Sequence, residues 1–182
     1  MKNDILEVTL AEAVRDQQTV TDSGVSTVPL IEGVSFRETV TQHDDRGTLV
    51  ELYDMRWTWH PEPLLYVYSF TLEPGVAKGW ALHKEHEDRY FVIEGKMEVV
   101  MFDPRHDSST YGKVSRIVLS SDRPRLMNIP RFVWHADHNF TAEPTRGINF
   151  PTTCYNHASP DKYRLPIDTP LIPVKFEGAK GW

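Results

Sequence analysis

Histidine is the side chain whose ordinary pKa, about 6.5, lets it take up and release a proton near neutral pH. The chain has eight histidines, and two of them stand in sharply punctuated segments. His83 follows a Pro74-Gly75 turn and precedes an acidic residue, Asp88, and then an aromatic and aliphatic run, Tyr90-Phe91-Val92-Ile93, that ends at Glu94-Gly95. His135 follows Pro130 and precedes Asn139. His86 and His138 lie beside these segments and suit a solvated role equally well, while His43, His60, His106 and His157 are expected in turns or on the surface. Cys154 stands alone, so it can neither form an internal disulfide nor build a cysteine metal cage. With no helix start or cation evident beside it, it reads as a small inert residue.

The elements that would position the two histidines are β-strands. Beyond Ile31 the chain runs as short β-branched and aromatic stretches separated by turn residues, with no alternation of strands and long helices. Strands are expected at 35–40, 48–53, 64–72, 89–93, 97–102, 114–119, 125–129 and 147–150. Asp45-Arg46-Gly47 and Glu94-Gly95-Lys96 supply turns. Thr9-Leu10-Ala11-Glu12 has the form of a capping box and predicts a short helix through Asp16. Residues 17–29 read as an arm that packs on a partner subunit, and 155–175, rich in Pro and Tyr, as a segment running extended along the barrel. At 182 residues one domain is expected, with a helix and arm at 1–30 and the barrel at 31–182. The net charge of −6 and the lack of a basic block argue against nucleic acid, though local cations could still hold an anionic small molecule. No apolar run suits a signal peptide or a membrane span, so a cytoplasmic location is expected.

The segment from Pro74 to Gly95 resembles the first motif of the cupins. Pro130-Arg131-Phe132-Val133-Trp134-His135-Ala136-Asp137-His138-Asn139 resembles the second, with Phe132 where glycine is usual. The resemblance implies an all-β cupin double-stranded β-helix, a jelly-roll barrel with His83 and His135 facing one another at its mouth. A narrower resemblance, over residues 40 to 175, is to the dTDP-4-dehydrorhamnose 3,5-epimerases. Asp45-Arg46-Gly47-Thr48-Leu49-Val50-Glu51 looks like the stretch in which that family holds the nucleotide, and Lys78-Gly79-Trp80-Ala81-Leu82-His83 looks like the stretch carrying its catalytic base. It implies an isomerase acting on a nucleotide-linked 4-keto sugar, without a cofactor and as a homodimer. A carbonyl acidifies the protons on its flanking carbons, so a base removes one and an acid returns one on the opposite face. His83 is then the base, and His135 polarises the carbonyl or binds a hydroxyl. Arg46 and Lys78 offset the diphosphate charge, Glu51 and Asn149 contact substrate, and Trp80 or Trp134 stacks on it. The other large aromatics, Tyr66, Tyr68 and Tyr90 among them, are expected in core and dimer packing.

The chain departs from the family's pattern at three places. Its tyrosine acid falls on Asn149, its keto-polarising lysine falls near Asp88, and the aspartate that pairs with the base is expected in a C-terminal extension beyond Trp182. Tyr66 or Tyr155 as acid, and His86 or Asp88 as partner of the base, are the replacements this leaves. Two further readings stand beside the epimerase. His83, Asp88 and His135 match positions that bind metal in metal-dependent cupins, and with His86 they would hold one divalent ion (Fe, Mn, Ni or Zn) with positions open for substrate. A sugar-binding barrel without catalysis is the third.

Overall fold

The computed structural model describes residues 4–181. Twelve strands follow one short helix: α1 (Ile5–Glu12), β1 (Ser35–Glu38), β2 (Thr41–Asp44), β3 (Gly47–Val50), β4 (Tyr68–Leu72), β5 (Ala77–Leu82), β6 (Asp88–Glu94), β7 (Lys96–Phe102), β8 (Val114–Ser120), β9 (Arg125–Ile129), β10 (Trp134–His138), β11 (Thr145–Asn149) and β12 (Tyr163–Arg164). Two antiparallel five-stranded sheets, ordered β1-β9-β6-β11-β4 and β12-β5-β10-β7-β8, face each other, and β2-β3 forms a separate hairpin. This is the double-sheet barrel that the sequence pattern predicts. Among the described residues no helix is long and apolar enough to cross a membrane.

The inward residues of both sheets make one core. Leu72, Val92, Met97, Val99, Met101, Leu119, Met127 and Ile129 fill the barrel between the sheets. The outer faces are covered as well. Ile172, Val174 and Phe176 of the C-terminal segment pack with Trp80, Val100 and Ala136 on the second sheet. Leu52, Tyr53, Trp57 and Trp59 pack with Phe91, Leu126 and Phe150 on the first.

That second cover explains two shortened strands. The apolar residues of 51–67 read as strand because they are apolar, but they serve as a lid over the first sheet, and Pro61 and Pro63 could not donate to a ladder. The lid is tied down by Arg89, fully buried, which donates to the carbonyls of Phe150 (2.7 Å), Glu62 (2.9 Å) and Pro63 (2.9 Å). His60 is pinned with it, its ring 3.1 Å from Glu87 and its side chain 8% exposed, so it is no surface histidine.

The N-terminal helix also differs from expectation. Asp4 is its cap, accepting from the Leu6 amide at 3.0 Å, and the helix ends at Glu12. Thr9 lies within it, its hydroxyl donating back to the Ile5 carbonyl at 2.9 Å. A serine or threonine inside a helix bonds the previous turn in this way, which imitates a cap in sequence only. No residue from 4 to 30 is buried.

Two strands, β5 and β10, carry the expected motifs into the barrel. They pair with each other, His135 opposite Ala81. Gly79 permits this approach, because a Cβ there would lie 2.7 Å from Ala136 Cα and 2.8 Å from the His135 carbonyl oxygen.

Candidate active site

His83 leaves the end of β5, Asp88 opens β6, and His135 lies on β10. All three are buried, at 7%, 3% and 3% exposure. Nδ1 of His83 meets the carbonyl oxygen of Asp161, and Nδ1 of His135 lies 3.2 Å from that of Val133. A carbonyl can only accept, so each Nδ1 carries a hydrogen. That turns both Nε2 atoms toward one carboxylate oxygen, Asp88 Oδ2, at 3.3 Å from His83 and 3.4 Å from His135. The other oxygen, Oδ1, accepts from Asn149 Nδ2 at 2.7 Å.

This packing sets the charges. Burial alone would raise the Asp88 pKa, but the hydrogen bonds and charges of His135 and His83 reverse it and hold the carboxyl well below its ordinary range. Burial opposes protonation of His83, yet the hydrogen bond and charge of Asp88 outweigh it and raise its pKa. His86 goes the other way, lowered by burial and by the neighbouring His83.

In front of His83 lies a cavity of about 380 Å³ whose wall includes Tyr66, Tyr68, His86, Tyr155, Asp161 and Lys162. A small recess continues inward past Tyr68 and Lys162 to Tyr90, His135 and Asp137. Asp88 and Asn149 lie behind this wall. Asn149 Nδ2 donates to the Tyr68 hydroxyl at 2.9 Å as well as to Asp88, so it braces both.

Of the residues singled out by sequence, His83, His86 and Lys78 border the main cavity, and His135 and Lys78 the recess. Trp80 is fully buried on the outer face of β5 against Phe176, with ring centroids 5.8 Å apart, because strand alternation turns it away from the barrel interior. Trp134 lies on the outer face likewise. Arg46 is on the exposed β2-β3 hairpin, paired with Asp44, and Glu51 follows that hairpin; neither borders the chain's own cavity.

Sequence reasoning gave Tyr68 to packing, whereas it borders the cavity, and passed over Asp137, Asp161 and Lys162. Asp161 carries the strongest positional signal. Its carboxylate accepts from the amides of Lys84 (3.0 Å) and Glu85 (2.7 Å) and meets His86 Nδ1 at 3.0 Å, while its carbonyl holds His83. His83 therefore has an aspartate beside it from within this chain. Asp137 is buried deep in the recess, its pKa raised to about 6 by desolvation against the pull of His135. Lys162 is lowered, chiefly by burial.

A divalent ion fits one part of the site. The Nε2 atoms of His83 and His135 and Asp88 Oδ2 lie within 4.8 Å of one another, a two-imidazole, one-carboxylate set. His86 does not join it; it groups with His83 and Asp161, its Nε2 3.6 Å from the opposite oxygen of Asp88. The four-residue ligand set expected from sequence is thus divided between two clusters.

A sequence model of the dTDP-4-dehydrorhamnose 3,5-epimerase family matches residues 29–175. The chain belongs to this family. Among curated relatives, the probable low-salt glycan biosynthesis epimerase Agl13 of Haloferax volcanii is 34% identical over 143 residues, covering 78% of this chain and 91% of that protein. The spore coat polysaccharide biosynthesis protein SpsL of Bacillus subtilis is 32% identical over 145 residues, 79% of this chain and 94% of the other. Solved structures share the fold. A dTDP sugar isomerase from Desulfovibrio desulfuricans G20 superposes with a TM-score of 0.75 at 24% identity, covering 82% of this chain and 94% of that one. The 3,5-epimerase of Legionella pneumophila, solved with dTDP-4-keto-L-rhamnose, gives 0.72 at 18% identity, covering 85% and 86%. The chain is a sugar epimerase, an isomerase-class enzyme of the dTDP-sugar epimerase family.

Proposed function

We propose that this epimerase acts on a nucleotide-linked 4-keto sugar, using His83 as the base and no cofactor. The observation that carries the reading is His83 itself, on the wall of a cavity of about 380 Å³, which suits a sugar ring, with its Nδ1–H held by the Asp161 carbonyl so that Nε2 is the basic atom. Removing a proton from a carbon beside the carbonyl leaves an enolate, and the proton passes to His83 Nε2. Asp88 and the Asp161 carbonyl stabilise the imidazolium that results, so both are positioning residues. Inversion needs a second donor on the other face. Tyr66, Tyr68 and Tyr155 border the same cavity, and Tyr68 is the one held in place: it accepts from Asn149, which leaves its own O–H to donate. Lys78, at the rim, offsets diphosphate charge.

A homodimer belongs to this reading. Ile5, Leu6, Val8 and Leu10 are exposed along one arm, a surface suited to a second copy of the chain, and Arg46 and Glu51 would reach a substrate only across such an interface. The convergence of His83, Asp88 and His135 supports a second reading, in which these three would hold a divalent ion that would supply Lewis acidity beside the carbonyl.

The test is incubation of the purified protein with dTDP-4-keto-6-deoxyglucose in deuterium oxide. Deuterium uptake beside the carbonyl that persists after chelation, and is lost in His83→Ala, is the expected result. Absence of uptake from every nucleotide sugar tried removes the substrate assignment. A stoichiometric metal whose removal abolishes uptake replaces the base mechanism with the second reading.

A further inference from the structure

We propose that Lys162 is the cation that takes up the negative charge of the keto oxygen as the proton leaves. This rests on the reading above. When the C–H bond beside the carbonyl breaks, the proton goes to His83 and the electron pair forms a carbon–carbon double bond. The carbonyl π pair moves to oxygen, and reprotonation reverses each shift with no net oxidation. The charge appears on oxygen, so catalysis needs a positive group aimed there before reaction begins.

Three cations border the cavity: Lys78, Lys162 and Arg164. All three line both the main cavity and the recess behind it, but Lys78 and Arg164 are exposed, whereas Lys162 is half-buried. Among the described residues the Lys162 ammonium makes no hydrogen bond or ion pair, although it feels the charges of Asp88 and Asp137. A half-buried ammonium without a close partner costs stability, and a ligand oxygen would supply that partner. Its placement relative to the base is also fixed. The carbonyl that holds His83 Nδ1 belongs to Asp161, so the peptide unit joining Asp161 to Lys162 is bonded to the imidazole. The Lys162 amide in turn donates to the Pro160 carbonyl at 2.9 Å. Base and cation are thereby set in register by one turn of chain.

The experiment compares Lys162→Met and Lys162→Arg with wild type in the deuterium-exchange and epimerisation assays on dTDP-4-keto-6-deoxyglucose. For Lys162→Met we expect kcat to fall about 100-fold or more in both assays, with KM within about threefold of wild type. Lys162→Arg should recover at least about a tenth of the lost rate, since the charge returns in a different shape. Tyr68→Phe supplies the contrast: it should slow inversion more than exchange, because it removes the returning proton and leaves the abstraction. A raised KM with unchanged kcat in Lys162→Met would assign the lysine to the diphosphate and overturn the proposal. So would unchanged kinetics, or an arginine variant as slow as the methionine one. A wild-type protein inert toward every nucleotide sugar would remove the reading and this assignment together, whereas an active wild type with an unaffected Lys162→Met removes the assignment alone.

Discussion

The barrel has two interiors built from the same strands. Along β4 the inward residues run Tyr68, Phe70, Leu72, and along β6 they run Asp88, Tyr90, Val92. Each strand passes from polar at the cavity to apolar in the core, with an aromatic ring between. Phe70 and Tyr90 pack against each other, centroids 5.5 Å apart, and close the apolar end against the site. At the apolar end the side chains are stabilised by contact and by release of water, and many substitutions of similar volume would serve. At the polar end Asp88 is equally buried, and each of its oxygens has a named partner. Stability at one end depends on volume, and at the other on the identity and charge of a few atoms.

The largest expected effect separates the two ends. His83→Ala should lower kcat by about a thousandfold, and purified protein should keep the fold. Met101→Ala, in the apolar core with no exposed surface, should instead cost about 3 kcal/mol of stability and leave kcat of the folded fraction near wild type. Urea unfolding and steady-state kinetics on both variants check this. If Met101→Ala changes kcat as much as His83→Ala, the two interiors are mechanically one.

A smaller effect is in pH. Asp88 lies well below its ordinary value of 3.8 in the folded state. Its contribution is present above that unfolded value and is lost as pH falls toward the folded one. His83 is raised above 6.5, so its contribution is complete below 6.5 and is lost as pH rises through the folded pKa. The two overlap between about pH 4 and 6.5. The difference in Tm between wild type and Asp88→Asn should therefore be largest in that interval and shrink on either side. A difference that stays flat from pH 4 to 8 would mean that the carboxylate is balanced by something other than His83.

Much of this arrangement is legible in the sequence, and the parts that are not share a cause. The strands at 114–119 and 125–129 were expected within a residue of where they lie. In β8 the burial alternates cleanly, because one face meets the core and the other meets water. Strands β5 and β10 carry the best motifs and yet give no strand pattern. Both are covered on two sides, with Gly79 and Ala81 turned inward and Trp80 buried outward, so no alternation of polar and apolar residues survives. In the site, His83, Asp88 and His135 are marked by local spacing. Asp161 and Lys162 are not: 78 positions separate His83 from the carbonyl that holds it, and the intervening chain offers no regular spacing to signal the contact. Tyr68 is brought in by register alone, as the Cα partner of Asn149 across the β4-β11 ladder. A phenol thus stands one strand away from Asn149, where local alignment offers none.

The smallest effect concerns the seam between the two motifs. Phe132 occupies the position where cupins usually carry glycine, and its φ of 64° lies in the left-handed region that favours glycine. Its amide donates to the His83 carbonyl at 2.8 Å, so the unfavourable backbone is held by the residue proposed as the base. The side chain is 44% exposed and contributes little burial in return. Phe132→Gly should relieve about 1 kcal/mol of strain, partly offset by the greater freedom of an unfolded glycine. The expected net change is a Tm equal to or a few degrees above wild type, with kcat retained because the amide and its bond to His83 remain. A Tm that falls by several degrees would show that the Phe132 ring supports the loop by packing. Stability near His83 would then depend on volume, as it does at the apolar end.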